Sequence, residues 1–139
     1  MKRKGTYVLF LLFLSDLETE VGSLGHIFLH AGWYCYVGSA MGGLDQRVSR
    51  HLAHDKTVRW HIDRLTVAAD DMFAMEHEGD EIPECTLGRI LEDAGAKPVV
   101  DGFGCSDCGC HTHLFRTEPD DAVRALASQG LTKFVDKRE

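Results

Sequence analysis

The chain has 139 residues, of which 44% are hydrophobic, and its formal charge is −7 with neutral histidines. A chain of this length is expected to form one domain, 1–139, whose hydrophobic core needs no help from disulfides. The acidic balance counts mildly against nucleic-acid binding but does not exclude it, because the local field at a cleft matters more than the total charge.

The first apolar segment, residues 6–14, is predicted to be a buried strand. Lys2, Arg3 and Lys4 precede it, as the charged part of a secretory signal would. The apolar run is short, however, acidic residues follow it at once, and no small-residue cleavage site is visible. It is also far too short to cross a bilayer. The sequence therefore predicts a cytoplasmic protein without a membrane partner.

Further elements follow from hydrophobic periodicity and from glycine and proline positions. Residues 15–25 are predicted to be a polar connection. Strands are predicted over residues 26–30, 33–37, 65–75, 113–116 and 133–135, and helices over residues 44–52, 60–65, 83–94 and 119–128. This order predicts an α+β fold with a small antiparallel central sheet of about three strands, flanked by helices. Its core would span about 5–95, and a C-terminal extension containing cysteine and histidine would span about 96–139.

Two short motifs and three ionisable residues occur in a recognisable order. Gly5-Thr6-Tyr7 begins the first strand, and Tyr36-Val37-Gly38 ends a later one. Arg47 and His51 lie about one turn apart on the first long helix, and Glu84 lies in the first turn of a later helix. This ordered set resembles the GIY-YIG nuclease superfamily, with β-branched threonine and valine in place of the two isoleucines.

A closer resemblance is to a branch of small proteins of unknown function within that superfamily, the DUF123-like proteins. Two segments carry it, residues 60–63 (Trp-His-Ile-Asp) and residues 102–110 (Gly-Phe-Gly-Cys-Ser-Asp-Cys-Gly-Cys). The resemblance implies a GIY-YIG-like fold and a metal-dependent endonuclease. It further implies that the two tyrosines, Arg47 and His51 line one face of the sheet opposite Glu84.

The chemistry of these side chains suits phosphodiester hydrolysis. Glu84 is a hard oxygen ligand suited to Mg²⁺ or Mn²⁺, and Arg47 offers a planar fork for phosphate oxygens. The proton of the attacking water would pass to Tyr7 or Tyr36, or be handled by His51, and the sequence leaves these alternatives open. The expected catalytic set is therefore Tyr7, Tyr36, Arg47, His51 and Glu84, with Glu84 also the metal ligand.

Residues 42–64 form a basic segment in this acidic chain. They contain five basic and three acidic residues, a net charge of +2, together with three histidines. Arg50, His54 and Arg59 are the predicted nucleic-acid-binding residues, although a solvated helix face would have the same pattern. No separate DNA-binding domain is visible, so the expected partners are single-stranded or branched DNA and a DNA-repair protein. A non-catalytic nucleic-acid-binding or DNA-repair accessory module is the alternative function.

A second cluster packs three cysteines and two histidines into residues 105–113. Zinc takes four such ligands, and the predicted set is Cys85, Cys108, Cys110 and His113. The alternative is a turn of buried thiols that forms structure or a wall of the substrate cleft. A zinc-stabilised interaction domain is thus a further functional alternative. His61 and Asp63 could likewise join a metal shell or stabilise the fold.

Overall fold

The structure is a computed structural model that describes residues 2–104 and 112–135. The described residues form eight strands and four helices. The strands are β1 (Gly5–Phe13), β2 (Leu17–Val21), β3 (Gly25–Leu29), β4 (Gly32–Ala40), β5 (Asp71–Glu78), β6 (Lys97–Pro98), β7 (Leu114–Arg116) and β8 (Thr132–Lys133). The helices are α1 (Leu44–Leu52), α2 (His61–Thr66), α3 (Glu84–Asp93) and α4 (Pro119–Ser128). Within these ranges, no helix is both long enough and apolar enough to pass through a bilayer.

The main sheet confirms the predicted α+β class and its antiparallel character, but the expected strand count is wrong. Six strands pair in the order β6-β7-β4-β1-β5-β8, and every pairing is antiparallel. The three long strands β4, β1 and β5 form the centre. The other three are two or three residues long, and strands this short carry too little alternation to be predicted from sequence.

Side chains of β1 alternate between two hydrophobic cores, which explains its unbroken apolar sequence. Leu9 and Leu11 pack with residues of α1, α2 and the β2–β3 hairpin. Val8 and Phe10 pack with residues of α3 and α4. The sheet is therefore covered by helices on both faces, with α1 and α2 on one side and α3 and α4 on the other.

Most of the long elements lie where the sequence predicts them. The helix over residues 44–52 is confirmed as α1, and the helix over residues 119–128 as α4. The connection predicted over residues 15–25 is wrong, because residues 17–21 form β2 and pair with β3. The strand predicted over residues 65–75 begins later, at Asp71, because α2 continues to Thr66.

Candidate active site

The two glycine-tyrosine motifs lie on neighbouring strands and meet in register, with Tyr7 opposite Gly38. A Cβ atom on Gly38 would lie 2.5 Å from Cζ of Tyr7, so only glycine leaves room for the phenol ring. A Cβ atom on Gly5 would collide with the backbone carbonyl of His77 on β5. Both glycines are therefore required by close approach of neighbouring groups, and Gly38 fixes where the Tyr7 ring lies.

Tyr7 and His51 form a buried hydrogen-bonded pair. The Tyr7 hydroxyl lies 2.8 Å from Nε2 of His51, and both side chains are almost inaccessible. Burial, aided by the nearby Lys56 ammonium, lowers the pKa of His51 to about 3, so its imidazole is neutral near pH 7. Burial also raises the pKa of Tyr7 well above its usual range. The pair is therefore uncharged at rest.

Ser39 connects Arg47 to Glu84 at the end of β4. The backbone carbonyl of Ser39 accepts a hydrogen bond from Nη1 of Arg47 at 3.2 Å, and its hydroxyl donates to Oε1 of Glu84. Arg47 comes from α1 and Glu84 from α3, which cover opposite faces of the sheet. The two side chains meet because both reach the end of β4, where they line the same cavity.

Glu84 is held as an ionised carboxylate by two neighbours. Nδ1 of His113 lies 3.1 Å from Oε2 of Glu84, while Ser39 donates to the other oxygen. Burial alone would raise the pKa of Glu84, but hydrogen bonding from His113 and Ser39, with the positive charge of Arg47, lowers it overall. The side chain of Glu84 is still 29% exposed and lines the second cavity, so it can contact a ligand there.

Two adjoining cavities of about 510 and 520 Å³ open on this part of the molecule. Tyr7, Tyr36 and Arg47 line both of them. His51 lines only the first cavity, and Glu84 lines only the second. The structure thus brings all five residues of the predicted catalytic set to these two cavities, which share Arg47 and the two tyrosines.

The family model that matches this chain covers residues 6–135 and describes a domain of unknown function, DUF123. The chain belongs to the DUF123 family. Comparison with curated proteins found no match, and comparison with solved structures found none either. The match covers every residue of the predicted catalytic set, and it covers both glycine-tyrosine motifs except for Gly5.

The donor set of the site suits a hard divalent ion. Among the described residues of this DUF123 chain, no group of three or more His, Cys, Asp or Glu side chains is placed to hold an ion. Glu84 could provide a carboxylate ligand, and Asp80 lines the same cavity, with water and substrate phosphate completing the shell. That composition fits Mg²⁺, which keeps several waters and binds through one or two carboxylates.

The three residues predicted to bind nucleic acid differ in their placement. Arg50 donates to both carboxylate oxygens of Asp63 at 2.9 Å and to the carbonyl of Thr57, so its guanidinium is engaged within the fold. His54 contacts the carbonyl of Ala69 at 3.1 Å. Arg59 is exposed and lines the first cavity. Of the three, Arg59 is the one on the candidate site.

Asp63 is engaged by hydrogen bonds within the fold rather than placed at a metal site. It is fully buried, and besides Arg50 it accepts hydrogen bonds from the backbone amides of Arg59 and Trp60. Burial would raise the pKa of Asp63, but these hydrogen bonds lower it to about 2. His61, its suggested companion, lines the first cavity beside Phe103.

Two members of the predicted zinc set, Cys108 and Cys110, lie outside the described residues. Cys105 and His111 of the same cluster lie outside them too. Cys85 is disulfide-bonded, and a cysteine in a disulfide has no thiolate to give an ion. His113 lies against Glu84. The zinc hypothesis stays a prediction, and metal analysis of the purified protein tests it.

Sequence reasoning missed two residues of the site, Ser39 and Trp60, and it missed the contact that His113 makes with Glu84. Ser39 directly follows Gly38, so its place at the end of β4 was a usable signal. Trp60 is 40% exposed beside Arg47 and Arg50, whose guanidinium carbons lie 4.8 and 4.4 Å from its ring centroid. A large exposed aromatic among cations is typical of a ligand-binding surface.

Proposed function

We propose that this protein is a metal-dependent endonuclease that hydrolyses DNA phosphodiester bonds, acting in the cytoplasm on single-stranded or branched DNA. The observation that carries the proposal is the convergence at the end of β4. A hydrogen-bonded, partly exposed carboxylate, a guanidinium and an uncharged phenol–imidazole pair line the two adjoining cavities there. The resemblance to GIY-YIG nucleases supports the same reaction.

Each group has a distinct part in this mechanism. Arg47 binds the scissile phosphate and stabilises the charge that develops on its oxygens. Glu84 would hold Mg²⁺ or Mn²⁺, which when bound supplies Lewis acidity at the departing oxygen. Ser39 and His113 orient the carboxylate of Glu84 and keep it ionised.

Tyr7 is the better placed of the two tyrosines to receive a proton from the attacking water. With the proton of the His51 imidazole on Nδ1, Nε2 accepts the Tyr7 hydroxyl hydrogen as Tyr7 takes one from water. A phosphate in the groove offsets the surrounding positive charge, which raises the pKa of His51 and favours that transfer. Tyr36 lines the same cavities and contacts the substrate.

A non-catalytic nucleic-acid-binding or DNA-repair accessory module is the second candidate function. The formal charge of −7 favours this alternative, because an acidic chain binds phosphate weakly and would need a partner protein to supply affinity. In that case Arg47 and Arg59 would still bind phosphate, but Glu84 would have no catalytic role. A zinc-stabilised interaction domain depends on cysteines outside the described residues.

The deciding experiment is single-turnover cleavage of end-labelled single-stranded, flap and duplex DNA with Mg²⁺ or Mn²⁺, beside a binding titration. We expect Glu84→Gln to abolish cleavage while DNA binding is kept or rises. Glu92→Gln, the same change at an exposed position of the same helix, should cleave like the wild type. Arg47→Ala should slow cleavage about 100- to 1000-fold, by analogy with a lost oxyanion donor.

Two outcomes would argue against the nuclease. Cleavage by Glu84→Gln at the wild-type rate would remove the proposed ion ligand. Binding without cleavage by the wild type, on every substrate and with both ions, would leave the accessory module as the function. EDTA should stop cleavage by the wild type, whereas cleavage by a contaminating metal-independent nuclease would persist.

A further inference from the structure

The first cavity has a lining unlike that of the second. Its volume is about 510 Å³, in the range of small-molecule pockets. Six ring side chains line it: Tyr7, Tyr36, His51, Trp60, His61 and Phe103. The mechanism proposed above uses Tyr7, His51 and Tyr36, whereas Trp60, His61 and Phe103 have no assigned task.

The charge of this lining is also one-sided. Arg47 and Arg59 face the cavity, and no aspartate or glutamate is among the described residues that line it. The chain as a whole has 22 acidic and 15 basic residues, so an acid-free lining is a departure from its average. The second cavity, by contrast, contains Asp80 and Glu84. A planar ligand with negative charge therefore fits the first cavity.

Trp60 is fixed in place rather than loosely exposed. Its backbone amide donates to Asp63 at 3.0 Å, and that carboxylate is itself clamped by Arg50. The ring of Trp60 lies 5.8 Å from that of His51 and close to Arg50 and Arg47, yet 40% of the residue is accessible. An aromatic surface held rigidly at a cavity loses little entropy when a flat ligand stacks on it.

We propose that the first cavity holds one unpaired base of a single-stranded DNA segment, stacked on Trp60, with its flanking phosphates on Arg59 and Arg47. Bases of single strands stack on protein aromatic side chains in this way, whereas paired bases in a duplex are not exposed to do so. This inference rests on the proposed function for its substrate. Because both cavities share Arg47, a base held in the first places a neighbouring phosphodiester bond towards Glu84 in the second.

The binding test compares two strands with the same number of phosphates. One is a labelled dodecamer of thymidine, and the other is a dodecamer of abasic sugar phosphate, with EDTA present to prevent cleavage. We expect the base-bearing strand to bind more tightly, and Trp60→Ala to weaken it about 5- to 150-fold, which is the usual range for loss of one base-stacking contact. Binding of the abasic strand should not change, and Trp60→Phe should keep most of the affinity.

Fluorescence gives an independent readout, because the chain has two tryptophans. Trp33 packs against Phe73 on β5, 5.6 Å between ring centroids, away from both cavities. In a Trp33→Phe background the remaining emission comes from Trp60. We expect the thymidine strand to quench this emission and the abasic strand to leave it unchanged. Melting temperatures of Trp60→Ala and Trp60→Phe check that both variants fold.

Several results would overturn the proposal. Equal affinity for the two strands, or an equal loss for both on Trp60→Ala, would mean that phosphate contacts alone bind the DNA. A paired duplex bound as tightly as the single strand would exclude an unpaired base. If free thymidine monophosphate quenched the Trp60 emission fully at the same concentration as the thymidine strand, the cavity would be a mononucleotide site.

Cleavage assays keep this inference separate from the proposed function. Base-dependent, Trp60-dependent binding without any cleavage would support the pocket and reject the nuclease. Cleavage that is unchanged by Trp60→Ala, with no preference for base-bearing strands, would reject the pocket and leave the nuclease standing.

Discussion

Replacing Gly38 by alanine would put a methyl group where the Tyr7 ring now lies. The new Cβ atom would be 2.5 Å from Cζ and 2.9 Å from Cε2 of Tyr7. Carbon atoms prefer separations of about 3.5–4.0 Å, so the ring must move by about 1 Å. Gly38 is buried in β4 between paired strands, which leaves the backbone little room to yield. Overpacking of this kind costs about 1–3 kcal/mol in the free energy of unfolding.

The loss of cleavage should exceed the loss of stability. A shift of Tyr7 by about 1 Å takes its hydroxyl out of hydrogen-bond range of His51, and a misplacement of that size can slow catalysis about 100-fold. Urea denaturation measures the first effect, and single-turnover cleavage at full folding measures the second. Gly42→Ala is the control, because a Cβ atom there meets nothing within 4 Å. If Gly38→Ala is as stable and as active as Gly42→Ala, the steric account of Tyr7 is wrong.

Two further predictions concern stability. Because the pKa of His51 is lowered to about 3 in the folded state, the unfolded chain binds an extra proton below its own pKa of about 6.5, and stability falls as pH falls. Urea denaturation at pH 7.5 and pH 5 measures the change in the free energy of unfolding. Between these pH values the wild type should lose about 2 kcal/mol more of it than His51→Gln. Equal losses would contradict a buried neutral imidazole. Asp63→Ala leaves Arg50 without its buried partner and should cost about 3–5 kcal/mol, whereas Arg124→Ala breaks only an exposed pair and should cost at most about 1 kcal/mol. Similar costs for the two variants would show that Asp63 does not anchor the segment before α2.

The long elements of the fold were predictable because each presents several turns or several alternations of one pattern. α1 shows apolar residues every fourth position, and β1 is an unbroken apolar run that a strand buried on both faces requires. β2 was missed because its exposed positions hold Glu18 and Glu20, so its alternation looks like a polar connection. The short strands at the sheet edges owe their conformation to the long strands they pair with, which is information outside their own residues.

The candidate site could be predicted only as far as residue order goes. The catalytic set could be proposed because its members occur in a familiar order. The contact of Ser39 with Glu84 joins residues 45 positions apart, and no local pattern announces it. His113 was assigned to zinc because cysteines precede it, whereas its position in space is set by backbone hydrogen bonds to Val37 and Phe103. Local composition therefore suggested one chemistry for His113, and the tertiary fold gives its side chain a different neighbour.

The balance of charge explains why base stacking would matter under the proposed function. Of the arginines predicted to bind phosphate, Arg50 is engaged by Asp63, which leaves Arg47 and Arg59 facing the first cavity. Phosphate contacts supply most of the affinity of ordinary DNA-binding proteins, and two such contacts on a chain of charge −7 supply little. A base on Trp60 adds affinity that does not depend on positive charge. Under this proposal, selection for an unpaired base and tolerance of an acidic surface would both be consequences of the same site.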